Sequence, residues 1–193
     1  MSDSLADLKG LDDSSITNKD VVFKGAIWNI ISKTFRFHDQ ELTRQYVEHP
    51  GAVAVIAIND NDEVLLINQY RAPVNEFLFE IPAGLLDVAG EGKLDAAKRE
   101  LLEETDYRAE HWEVLQVFYT TPGSSSEAIT IYLATGLEKG TDVFDRTGEE
   151  KHMESSWVVF DDVLQGVLDS RLKCPTLVVG MLALAQRRKH GQN

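Results

Sequence analysis

The sequence predicts an α/β fold, a mixed central sheet flanked by helices, with a small antiparallel β-sheet ahead of it. Three observations predict it. Short runs rich in Val, Ile, Phe and Thr recur along the chain as far as about residue 160. One amphipathic helical stretch interrupts them near residue 100, and two more helical stretches close the chain. Strand-rich order with interspersed helices is the pattern of a sheet covered by helices.

Taken in order, residues 1–16 lack apolar periodicity and read as a flexible tail. Residues 17–50 hold three strand-like pieces, VVFKGAIWNI, SKTFRFHD and ELTRQYVEH, and form an N-terminal β subdomain. Residues 51–193 form the main domain. Its first run, GAVAVIAI at 51–58, is continuously apolar, as a strand covered on both faces would be. The polar turn NDND precedes a returning strand, EVLLINQY. The short strand FLFEI is stopped by Pro82. Residues 112–120 and 128–135 read as strands joined through TTPGSSSE, and 153–160 as the last strand. Asp161 is placed to cap a helix over 162–169, and Pro175 to open another running to about Lys189.

Composition narrows the function. The 193 residues, 43% hydrophobic and 26% charged, are those of a globular chain. No run approaches the length of a membrane-spanning helix, and the acidic N-terminus does not read as a secretory signal, so the expected location is cytoplasmic. A net charge of -13 argues against nucleic acid as a partner, since neutralising phosphates needs clustered Lys and Arg. Cys174 is the one cysteine, which excludes an internal disulfide and a thiolate cluster. The five histidines are scattered. Any metal must therefore be held by oxygen, which favours Mg2+, Mn2+ or Ca2+ over zinc.

The stretch GLLDVAGEGKLDAAKRELLEETDY, residues 84–107, carries the chemistry. Leu94, Ala97, Leu101, Leu102 and Thr105 recur at helical spacing. At about 100° per residue, Glu100, Glu103 and Glu104 share one arc beside that stripe. An acidic helix face balanced by Lys98, Arg99 and Arg108 is the ordinary reading of such a cluster. Two features oppose it. Like charges at i,i+3 and i,i+4 repel, and anions near a helix C-terminus are disfavoured by the dipole. A cation reverses both penalties, and the glycines of EIPAGLLDVAGEG allow close backbone approach to a ligand.

Gly84, Glu91, Arg99, Glu100, Leu101, Glu103, Glu104 and Tyr107 resemble the Nudix box, G-x5-E-x7-R-E-U-x-E-E-x-G-U, in which U is an aliphatic or aromatic residue. Eight of the nine defined residue types match. One extra residue lies between Gly84 and Glu91, and the lengthened loop is similar to that of actinobacterial ADP-ribose pyrophosphatases. Asp106 stands where the family has glycine, just past the helix end, and Asp tolerates the left-handed conformation better than most residues.

The resemblance implies a Nudix α/β/α sandwich and hydrolysis of a pyrophosphate bond. It implies Glu100, Glu103, Glu104 and the carbonyl of Ala83 as ligands of Mg2+, with Mn2+ as a substitute. Arg99 would orient the glutamates, Gly84 make room, and Glu91 brace Arg99. The general base is expected on the loop DVFDRTGEEKHMESSW, at Glu150 or its neighbour Glu149. INQYRAP with FEIPAG, and Pro122, resemble the ADP-ribose and nucleoside diphosphate sugar branch. Arg71, Glu80 and Glu127 would then meet the substrate. Trp28, Phe35 and Phe37 are placed for adenine stacking or, preferentially, for core or dimer packing. The resembling enzymes exchange the N-terminal sheet between subunits, so a homodimer is expected. The leading expectation is cleavage of ADP-ribose to AMP and ribose 5-phosphate. Other nucleoside diphosphate sugars, such as GDP-mannose or ADP-glucose, and a non-catalytic nucleotide sensor are the alternatives.

Overall fold

The computed structural model describes residues 5–140 and 153–191. The chain divides into two compact units. One comprises Met1–His49 with Thr121–Ser126, the other Pro50–Thr120 with Glu127–Asn193.

In the first unit, regular structure begins earlier than the sequence suggests. A 3-10 turn at Asp13–Ser15 is capped by the Asp12 side chain, which accepts from the Ser14 N–H at 2.9 Å. The strand β1 (Ile16–Lys24) follows directly. With β2 (Asn29–Phe37) and β3 (Gln40–Glu48) it forms the expected antiparallel sheet, in the order β1-β2-β3. The loop Thr121–Ser126 joins this unit through Val47, whose N–H donates to the Ser124 carbonyl and whose carbonyl accepts from Ser126. Trp28 and Phe37 are exposed and Phe35 is half-buried, so Trp28 and Phe37 are not core residues of this chain.

In the second unit the strands form two sheets, where the sequence suggested one. The mixed sheet has the order β7-β4-β9-β8, from β7 (Ala83–Leu85), β4 (Ala52–Ala57), β9 (Ala128–Lys139) and β8 (Tyr107–Tyr119). Only its β4–β9 pair is parallel. An antiparallel sheet has the order β10-β5-β6, from β10 (Glu154–Val159), β5 (Glu63–Arg71) and β6 (Glu76–Glu80).

Every residue of β4 is buried, and the strand's two faces go to different cores. Val53, Val55 and Ala57 pack with Ala96, Ala97 and Leu101 of α1 (Lys93–Thr105). Ala52, Ala54 and Ile56 pack with Val163 of α2 (Phe160–Leu168) and Leu177, Met181 and Leu184 of α3 (Pro175–Lys189). Side chains alternate across a strand, so a continuously apolar run serves helices on both sides. This is the α/β/α arrangement. Pro175 does occupy the first turn of α3. Asp161, by contrast, is not a cap. The helix starts one residue earlier at Phe160, and Val159 precedes it without a side-chain cap hydrogen bond. Asp161 and Asp162 instead fill the first turn, where carboxylates suit the helix dipole.

Candidate active site

The site is built where β7 meets α1. Gly92 precedes the helix, and its carbonyl accepts the Ala96 N–H at 2.9 Å. Ala96, Ala97, Leu101 and Thr105 are buried. Asp106 ends the helix in the left-handed region (φ 62°, ψ 19°), and its N–H donates to the Leu102 carbonyl at 2.9 Å. The place of the motif glycine is thus occupied by an Asp in the conformation that glycine serves.

Glu104 is buried with the apolar face, and its Oε2 accepts the Ala83 N–H at 3.0 Å. One bond therefore joins the helix end to the β7 backbone, at the residue whose carbonyl is expected as a ligand. Glu100 is also largely enclosed, its side chain 14% exposed. Gly84 explains how it fits. A Cβ built on Gly84 would overlap the Glu100 carboxylate itself. Gly84 is therefore needed for close approach.

Arg99 organises the carboxylates. Its Nε and Nη2 donate to the two oxygens of Glu91 at 2.9 and 3.0 Å, a fork-to-carboxylate pair. Its Nη1 donates to Glu100 at 2.6 Å and to Glu103 at 3.1 Å. The Arg99 guanidinium is held firmly charged, chiefly by its hydrogen bonds to Glu91, and in return Arg99 lowers the Glu91 pKa. Glu103 is the more open glutamate, its side chain 40% exposed. Among the described residues the three glutamates do not close into a ligand cage. The guanidinium of Arg99 stands between Glu100 and Glu103.

The donor set nonetheless fits a hard divalent cation, being carboxylate and backbone oxygen with no sulfur. The recess that glycine leaves at position 84 holds Glu100 at that spot. Glu100, Glu103 and Glu104 would hold such an ion, with the Ala83 carbonyl beside them.

The remaining candidates fall in two groups. Arg71 and Glu80 bond to each other, with Nε to Oε1 at 2.8 Å and Nη2 to Oε2 at 2.7 Å. Glu80 is 4% exposed and Arg71 42%, so the arginine is the partner that reaches solvent. The hydrogen bonds from Arg71 to Glu80 are what raise its pKa most. Glu127 accepts from the Thr120 hydroxyl at 2.6 Å, closing the base of the loop between β8 and β9. Pro122 lies in the turn of that loop. Glu149 and Glu150 lie outside the described residues. Cys174 is buried, and burial pushes its thiol pKa up, the opposite of a nucleophile's environment. The sequence alone did not disclose the Arg71–Glu80 pairing or the Ala83–Glu104 bond. Each joins residues distant in sequence.

The fold and site together define a helix-borne carboxylate cluster set against a mixed sheet, a class of site suited to divalent-cation chemistry. The NUDIX domain family matches residues 48–174, and the chain belongs to that family. The ADP-ribose pyrophosphatase of Mycobacterium tuberculosis is 41% identical over 144 residues, covering 74% of this chain and 69% of that protein. The ADP-ribose pyrophosphatase of Bacillus subtilis is 32% identical over 165 residues, covering 85% and 87%. A solved structure described as an ADP compounds hydrolase superposes with a TM-score of 0.76 over 96% of this chain and all of that one. At 21% identity, that likeness concerns the fold. Among the described residues no helix is long and apolar enough to cross a membrane.

Proposed function

We propose that this chain is a divalent-metal-dependent hydrolase that cleaves the pyrophosphate bond of ADP-ribose, giving AMP and ribose 5-phosphate. The observation that carries the proposal is the cluster of Glu100, Glu103 and Glu104 with Gly84 and Arg99, in a chain 41% identical to an ADP-ribose pyrophosphatase. The ion is Mg2+, with Mn2+ as substitute; when bound it neutralises phosphate charge and acidifies the attacking water. Arg99 fixes Glu100 and Glu103 at the start of the reaction, and Glu91 fixes Arg99. Glu104, anchored to the Ala83 N–H, ties the cluster to β7. Glu150 is the base that takes the proton of the attacking water. Arg71 supplies a solvent-reaching cation for the diphosphate, oriented by Glu80, and Glu127 meets the ribose or the metals.

The exposed apolar residues of β1 and the turn that follows it, Val21, Phe23, Ile27 and Trp28 among them, support a homodimer that exchanges this N-terminal sheet between subunits. The enzyme works in the cytoplasm. Product analysis across ADP-ribose, ADP-glucose and GDP-mannose, with Mg2+ and with EDTA, tests the reading. AMP and ribose 5-phosphate formed fastest from ADP-ribose, and only with metal, are expected. Preference for another sugar nucleotide would move the substrate assignment, and cleavage in EDTA would overturn the metal's role.

A further inference from the structure

The three glutamates of α1 are not held alike. At about 100° per residue, Arg99, Glu103, Glu100 and Glu104 follow one another around the helix at about 0°, 40°, 100° and 140°. Glu103 therefore stands between the arginine on one side and the other two glutamates on the other.

Those two are fixed against β7. Glu104 is buried, and its Oε2 accepts the Ala83 N–H at 3.0 Å. Glu100 is largely enclosed and fills the recess at Gly84, where a Cβ would overlap its carboxylate. Glu103 differs on each count. Its side chain is the open one, and its Oε2 takes the longer of two Nη1 bonds from Arg99, 3.1 Å against 2.6 Å to Glu100. Its carboxylate is turned to the arginine, and among the described residues the three glutamates do not converge as a ligand group.

Arg99 can release Glu103 without leaving its place. Nε and Nη2 are forked onto both oxygens of Glu91, and Nη1 also donates to Glu100. These three bonds hold the guanidinium whether or not Glu103 is bonded to it. A partly exposed i,i+4 pair such as Arg99–Glu103 shifts an equilibrium by only about twofold. A divalent cation carries twice the charge of the guanidinium and dominates the local field. Staggered side-chain wells give Glu103 a discrete alternative on the side of Glu100 and Glu104.

From this geometry we infer that Glu103 is a movable third ligand, parked on Arg99 and transferred to the ion that binds beside Glu100 and Glu104. The inference rests on the metal site of the proposed hydrolase. It adds that Arg99 and the ion compete for one carboxylate, while Arg99 keeps Glu91 and Glu100.

The test is Mn2+ binding to the full chain without substrate, read by calorimetry, for the unaltered protein, Arg99→Met, Glu103→Gln and the double variant. A parked ligand makes Arg99 an antagonist of the ion through Glu103. The change in affinity caused by Arg99→Met is therefore expected to be more favourable, by at least threefold, when Glu103 is present than in the Glu103→Gln background. The lost charge and the disturbance of Glu91 and Glu100 act in both backgrounds and cancel in the cycle. Additive effects, or the opposite sign, would overturn the inference and leave the metal site standing. Crystal structures of the unaltered chain with and without Mg2+ give a second reading that needs no variant to fold. On loading, Glu103 is expected to move beyond salt-bridge reach of Arg99, about 4 Å, with the Glu91 fork intact. An Arg99–Glu103 pair retained in the loaded structure would also overturn it. Absence of any Mn2+ binding to the unaltered chain would refute the metal site itself, and this inference with it.

Discussion

The carboxylate of Glu100 occupies the space that a side chain at Gly84 would need, so only glycine at 84 leaves Glu100 in its place against β7. The close approach and the acidic cluster are one device. Gly84→Ala must push Glu100 or β7 aside. Misplacement of a catalytic group by about 1 Å can cost roughly a hundredfold in rate. A folded protein with turnover reduced at least tenfold is the expected outcome, read by thermal unfolding alongside an ADP-ribose assay. Full activity in this variant would show that the contact is incidental.

Arg99 should tolerate no replacement, including lysine, because its fork serves three carboxylates at once. A lysine retains the charge but not the paired geometry. Arg99→Lys is expected to lower kcat by about ten- to a hundredfold, an effect in the range of other positioning groups.

Glu91 gives a pH signature. Its folded pKa is depressed, chiefly by hydrogen bonds from Arg99. A depressed carboxylate contributes stability that is present above its unfolded pKa and lost as pH falls through the folded one. The unfolding temperature of Glu91→Gln should therefore lie below that of the unaltered chain at neutral pH. The gap should close as pH drops through and below the usual carboxylate range. A constant gap across that window would mean the pair acts by packing alone.

At the helix end, Asp106 sits at φ 62°, a conformation that is costly for residues with a side chain. Asp106→Gly should stabilise the protein by roughly 0.5–1 kcal/mol, as a denaturant midpoint would show. Asp106→Val should destabilise it.

Much of this was legible in the sequence because it is local. The period of α1 follows from residues at most four apart, and the left-handed end from the Asp in the glycine's place. The two-sided burial of β4 follows from an unbroken apolar run. The rest depends on contacts that no short window contains. The three-residue strand β7 is too short to carry a pattern, and it exists because Val53 pairs with Gly84 and Ala54 with Ala83. Arg71 is indistinguishable in sequence from a free strand-end charge; the structure places the nearly buried Glu80 against it. Asp161 looked like a cap because Asp is a good one, but Phe160, packed in the core and bonded through its N–H to the Asp62 carbonyl, had already begun the helix.

The most direct test of the central claim, that the α1 glutamates hold the ion required for pyrophosphate cleavage, is ADP-ribose turnover titrated with Mg2+ for the unaltered chain and for Glu103→Gln/Glu104→Gln. The predicted result is metal-dependent AMP release by the first, and loss of at least a hundredfold in rate, with a much higher Mg2+ requirement, in the second. Unchanged turnover and Mg2+ dependence in the doubly substituted protein would contradict it.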